Sequence, residues 1–201
     1  MVFDSIKKLF NLGQYPLVSI KSNVDGKEYL VRDLVDAQEA ADLIAKVRIK
    51  LSNLKIHLQA KYPYKPQVIQ LVKNFEAHPN RFYESTPDAE LTSYSVNKGE
   101  AVHLCLRQRE GSDESLVAEE IMVFVAIHEM GHMVTESIGH GPDFWNNFAW
   151  LLKEAESIDI YKHIDFKAHP VKYCGMSITD QPFYDASKDG HDLSLGNNTN
   201  G

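Results

Sequence analysis

Between Leu116 and Trp145 the chain carries His128-Glu129-Met130-Gly131-His132, an H-E-x-x-H pattern that follows the apolar run Ile121 to Ile127. On a helix the two histidines stand at i and i+4, stacked on one face about a turn apart, so both imidazoles reach one metal ion. Glu129 is turned about 100° from His128, which places its carboxylate beside the metal rather than on it. Gly139-His140-Gly141-Pro142-Asp143-Phe144-Trp145 follows directly.

His140 is the expected third ligand, because a histidine bracketed by glycines at a helix end has little reason to be core. It lies eight residues after His132, and Thr135 stands where a metzincin would carry its mid-way glycine. A gluzincin-like arrangement would instead draw on Glu154 or Glu156. Three histidine ligands leave one tetrahedral position of Zn²⁺ for water, which makes such a site catalytic rather than structural, with Glu129 as general base. Glu136 is weighed as an imidazole-orienting residue against a solvated carboxylate, and His103 as a cleft residue against a strand surface histidine. Tyr173, His163 and His169 are the candidates for an electrophile facing the developing oxyanion. Cys174 as a fourth ligand would close the site.

With 201 residues, 43% hydrophobic and 24% charged, the chain suits one soluble domain with a real core. Its net charge of −7 gives no bulk attraction to nucleic acid or an anionic membrane, so a DNA partner is possible but unsupported by charge. Cys105 and Cys174 show no paired CxxC spacing, so neither a disulfide framework nor a cysteine-based zinc finger is indicated, and a reducing compartment is expected. No run is long enough to span a membrane or to serve as a signal-peptide core, although Phe3 to Leu12 could form a short amphipathic anchor. A soluble intracellular location, in cytoplasm or nucleus, or in a virion if the protein is viral, fits these features.

Leu17 to Lys21 and Lys27 to Val31 flank Asp25-Gly26 and predict a hairpin. Asp36 and Glu39 suggest a capping box for a helix to about Ala60, before Pro63. Its lysines and arginine read as a solvated face rather than a nucleic-acid surface. Pro66 to Phe75 predicts a shorter helix, and Asn80 to Asp88 a connection. Leu91 to Val96 and Ala101 to Leu106, around Asn97-Lys98-Gly99-Glu100, form a second hairpin. Its later strand is a candidate for pairing with an extended peptide. The metal helix is expected over about Ser115 to Ile138, ended by Gly139, with Pro142 opening another. Ile158 to Phe166 reads as a further helical turn or two, and Tyr173 to Met176 as a turn or short strand. From Asp185 the composition is that of a disordered tail.

Tyr94-Ser95-Val96-Asn97-Lys98-Gly99, the strand ending Leu104-Cys105-Leu106-Arg107, and His128 to His132 with His140 and Phe144-Trp145 together resemble the WLM and SprT-like metalloproteases, the group that includes Spartan. Gly139 to Phe144 is similar to the third-ligand segment of the SprT group, whereas Asn97-Lys98-Gly99 and Trp145 look more like WLM. Ser19 to Ala45 and Val171 to Asp180 are similar to WLM-like proteins of large DNA viruses. The resemblance implies a zincin-like domain with His128, His132 and His140 on zinc and Glu129 as acid/base. It also implies protein–DNA crosslinks as a substrate class. This chain, however, has a longer interval between His132 and His140 than WLM proteins and no recognisable zinc knuckle, basic tail or ubiquitin-family motif.

The resulting expectation is an α+β, zincin-like single domain, a small β-sheet packed on the metal-binding helix with further helices. An N-terminal segment (1–16), the domain (17–184) and a tail (185–201) divide the chain. The expected activity is zinc-dependent hydrolysis of polypeptide. A structural or virion-associated zinc protein without protease activity is the alternative.

Overall fold

Alternation of buried and exposed residues builds the sheet. Tyr29 and Val31, Phe82 and Glu84, Val102 and Leu104 all turn inward, each pair two residues apart on one strand, as period-2 pleating requires. The computed structural model describes residues 14–188. The Phe3 to Leu12 segment, His191 and the tail beyond residue 188 lie outside the described residues. Five strands form a mixed sheet in the order β1 (Leu17–Lys21), β2 (Glu28–Arg32), β3 (Phe82–Glu84), β5 (Ala101–Leu104), β4 (Tyr94–Val96). β1 pairs antiparallel with β2, β2 and β5 flank β3 in parallel, and β4 returns antiparallel on β5. β4 is thus one edge.

Helices α1 (Ala37–Lys61), α2 (Pro66–Asn74), α3 (Glu119–Val134) and α4 (Pro142–Ser157) supply the rest of the core. α1 packs on β1, β2 and β3, while α3 lies against β4, β5, α1, α2 and α4. α3 is apolar on nearly every side, and Ile121 to Ile127 are all buried, so it runs through the core and not over its surface. A small hairpin, β6 (Val171–Tyr173) with β7 (Met176–Ile178), completes the described elements, apart from short 3-10 turns at Pro79–Arg81 and Ala186–Lys188. Among the described residues no helix is long and apolar enough to cross a membrane.

Both expected hairpins form, and α1 begins where predicted, but Asp36 makes no side-chain cap. Its carboxylate instead receives Arg107 Nη1 at 2.6 Å, while Arg107 Nε reaches buried Glu84 at 2.8 Å. The expected connection over Asn80 to Asp88 contains β3. Ile158 to Phe166 is turn and bend, not helix. The metal helix is shorter than Ser115 to Ile138. Residues before it are extended, Val117 N–H bonding Leu106 O at 2.8 Å.

Cys105 and Cys174 are not free thiols. They form a disulfide across a sequence separation of 69 residues, and both are buried. The expectation of a reducing compartment rested on two unpaired cysteines and loses that support.

On the side of α4 that faces α1, Glu154 is fully buried and receives His57 Nε2 at 2.9 Å, Lys61 Nζ at 2.9 Å and Tyr62 O–H at 2.8 Å. Removing one member of a buried charged cluster strands the others. Glu154→Ala is therefore expected to cost about 3 kcal/mol, read from the urea midpoint.

Candidate metal centre

The end of α3 and the loop into α4 bring three imidazoles together. His128 and His132 project from successive turns of α3, and His140 folds back from the loop; their ligating nitrogens all lie within 4.8 Å of one another. His140 Nε2 stands 3.1 Å from His128 Nε2. Ring centroids are 5.1 Å (128 to 132), 5.0 Å (128 to 140) and 4.9 Å (132 to 140) apart, nearly an equilateral triangle. Tetrahedral nitrogens at zinc bond lengths would be about 3.3 Å apart, so this donor set fits Zn²⁺. It forms without distortion of the helix.

Local chemistry explains why the triangle forms. α3 ends at Val134, not at Gly139: the adjoining Thr135 turns its hydroxyl back to Gly131 O at 2.7 Å, and side chains from elsewhere take carbonyls at and just beyond the helix end. Asn74 Nδ2 donates to Met133 O at 3.2 Å, and Lys98 Nζ donates to Thr135 O at 2.6 Å and Glu136 O at 2.7 Å. A cation at a helix C-terminus also opposes the negative end of the dipole. Lys98 reaches there from the tight β4–β5 turn, where Asn97 and Lys98 adopt positive φ of 45° and 56°. Gly139, at φ +87°, serves the loop instead, turning the chain back so that His140 faces His128. Ser137 Oγ bonds Asp143 at 2.5 Å across that loop, and Pro142 opens α4.

α4 then covers the imidazoles with aromatic rings. Phe144 stacks on His132 at 4.4 Å and 26°, and meets His128 and His140 edge-on at 4.9 and 4.7 Å. That approach needs Gly131, since a Cβ there would lie 3.0 Å from Phe144 Cε2. Gly131→Ala should displace the ring, with a loss of about 1–3 kcal/mol in stability and weaker zinc binding in a chelator competition. Trp145, 43% exposed, flanks His140 with centroids 5.7 Å apart.

Burial under these rings disfavours charge. It lowers the His128 pKa to about 3, helped by His132 and His140, and lowers that of His132 to about 4, helped by His140 and Lys98. Neutral imidazoles are the form that binds metal. Glu129, 4% exposed, is pushed up to about 7 by burial, opposed by hydrogen bonds from the Ser95 backbone N–H and hydroxyl. Ser95 lies on β4, so the sheet edge runs beside this carboxylate.

Among the described residues, no other candidate ligand joins the triangle. Glu154 turns toward α1, Glu156 faces His163 at 3.8 Å, and Glu136 is exposed with its carbonyl on Lys98. His103 is half-buried on the outer sheet face, stacked between Tyr94 at 4.6 Å and Tyr83 at 5.1 Å. His163 bonds Gln181, and His169 is exposed. Tyr173 is buried with its hydroxyl 2.5 Å from Ser93 Oγ. Ser95, Ser93 and Lys98 were missed as functional residues; the strand register that aims Ser95 at Glu129 is not written in any local motif.

Residues 66–199 match the WLM domain family. The chain belongs to the WLM domain family. WLM domains are generally metalloproteases. The chain is 32% identical over 184 residues to an uncharacterised protein of Acanthamoeba polyphaga mimivirus, covering 90% of this chain and 89% of that one. It is 28% identical over 82 residues to an uncharacterised protein of Invertebrate iridescent virus 6, covering 41% and 44% of the two chains. The crystal structure of Wss1 from Saccharomyces cerevisiae superposes with a TM-score of 0.47 and 21% identity, over 64% of this chain and 87% of that one.

Proposed function

We propose that this WLM domain is a zinc-dependent endopeptidase, with His128, His132 and His140 holding the metal and Glu129 as the catalytic acid/base. The observation that carries this reading is the buried Glu129 carboxylate beside three converging imidazoles. Held by His128, His132 and His140, zinc would supply Lewis acidity toward a water molecule and a substrate carbonyl. With the metal bound, Glu129 would accept a proton from that water and return it to the departing amine. Phe144 keeps the imidazoles oriented and excludes water from one side.

The structure alters the expected route for substrate. β5, the strand first weighed for peptide pairing, is enclosed between β3 and β4; β4 is the edge. An extended polypeptide would pair with β4, whose Ser95 already faces Glu129.

A purely structural zinc protein is the rival reading. A structural site gains nothing from an acid buried at a cost beside its ligands, and that favours catalysis. The test is digestion of a loosely folded protein by zinc-loaded protein, before and after chelation and zinc return, with and without single-stranded DNA. Chelator-sensitive, zinc-restored cleavage supports the protease; stimulation by DNA would assign crosslinked proteins as substrates. Zinc binding without cleavage in any lane would favour the structural rival.

A further inference from the structure

We infer that Tyr173 is a positioning residue for Glu129, acting through Ser93 on the approach to edge strand β4, and that the Cys105–Cys174 disulfide holds it there. For its catalytic consequence the inference rests on the protease reading; for its mechanical consequence it rests on geometry alone.

The contacts form an unbroken chain. Tyr173 ends β6, is 2% exposed, and its hydroxyl lies 2.5 Å from Ser93 Oγ. Ser93 Oγ also accepts the Cys105 backbone N–H at 2.8 Å. One residue beyond Ser93, β4 begins; it packs against α3, and its central Ser95 is the neighbour that draws the Glu129 pKa down against burial. β4 is three residues long and, among the described residues, bonded to the sheet on one side only, so it has few bonds of its own to fix its position. A second attachment at its start therefore matters.

The hairpin that carries Tyr173 needs an anchor in turn. Two strands of three residues are marginal by themselves. Cys174 occupies the turn at φ +48° and is bonded to Cys105, the residue just after β5. Gln108 adds two bonds, donating to Lys172 O at 3.1 Å and accepting Cys174 N–H at 3.2 Å. Tyr173 thus enters the body of the protein beside a covalent staple that leads back to the strand pairing with β4.

Tyr173→Phe removes the hydroxyl and keeps the ring packed. In the metal-free protein, amide exchange at Tyr94 to Val96 is expected to quicken about 5–10-fold, the worth of one hydrogen bond. In the zinc-loaded enzyme kcat should fall about 10-fold, with KM and zinc content unchanged. Ser93→Ala should match it, the double variant should add little, and Ser93→Thr should restore exchange and rate. Reducing the disulfide with a water-soluble phosphine should also quicken β4 exchange. The phosphine takes up oxygen from water to become its oxide, and the two sulfurs gain two electrons and two protons as thiols.

Unchanged β4 exchange in Tyr173→Phe overturns the inference whether or not the protein cleaves anything. So does full additivity of the two single variants. If β4 exchange shifts as expected but zinc-loaded wild type cleaves nothing, the strand pinning stands and the protease reading fails instead.

Discussion

Glu129→Gln is expected to bind zinc as wild type does and to cleave polypeptide about 10²–10⁴-fold more slowly, the usual worth of a positioned general base. Glutamine fills the same space and accepts from Ser95, yet it cannot take a proton. The same substitution should stabilise the metal-free protein. Burial raises the Glu129 pKa from an ordinary 4.5 to about 7, so the folded chain keeps a proton that the unfolded chain has lost across that interval. Stability from this group is intact below pH 4.5 and falls as pH rises toward 7, by about 3 kcal/mol in all. Glutamine removes that penalty. At pH 8 metal-free Glu129→Gln should melt about 5–10 °C above wild type, and at pH 4 the gap should close. Differential scanning calorimetry across this range reads both effects, and stopped cleavage with retained zinc reads the first.

His132→Ala is expected to abolish both activity and the thermal stabilisation that zinc confers. Outer residues around a metal already govern affinity by about 10–100-fold, and a direct ligand governs more. At a zinc concentration near a thousand times Kd, wild type gains about 4 kcal/mol from the metal; the variant should show no shift at that concentration. The pH dependence of zinc binding follows from the same geometry. His128 and His132 have pKa values near 3 and 4 in place of an ordinary 6.5, so protons displace zinc from them only in strong acid. Their linkage to folding runs opposite to that of Glu129. A histidine held neutral by burial costs stability as pH falls below 6.5, whereas Glu129 costs it as pH rises toward 7. The metal-free site is penalised from both sides, and a bound cation, stabilising carboxylate and neutral imidazole together, relieves both.

What was legible in the chain was what local spacing encodes. His128 and His132 one helical turn apart, a glycine-bracketed His140, and Asp25-Gly26 at a hairpin all read directly because the partners are near in sequence. β3 was not legible. Phe82 to Glu84 is only three residues long, places a glutamate in the core, and pairs with strands distant on both sides. Glu84 is tolerable there only because Arg107 and the Arg32 N–H meet it, which no local pattern announces. The bounds of α3 failed for the same reason. Its start is delayed by extended pairing of Leu116 with Arg107, and its end is met by Thr135, Lys98 and Asn74, not by Gly139. The disulfide joins cysteines with no diagnostic spacing, so only the fold could pair them.

Zinc K-edge X-ray absorption on the zinc-loaded protein tests the central claim most directly. Three nitrogen ligands at about 2.0–2.1 Å and one oxygen from solvent are expected, with no sulfur, and loss of a nitrogen in His140→Ala. A fourth protein ligand closing the site, or an unchanged spectrum in His140→Ala, would contradict it.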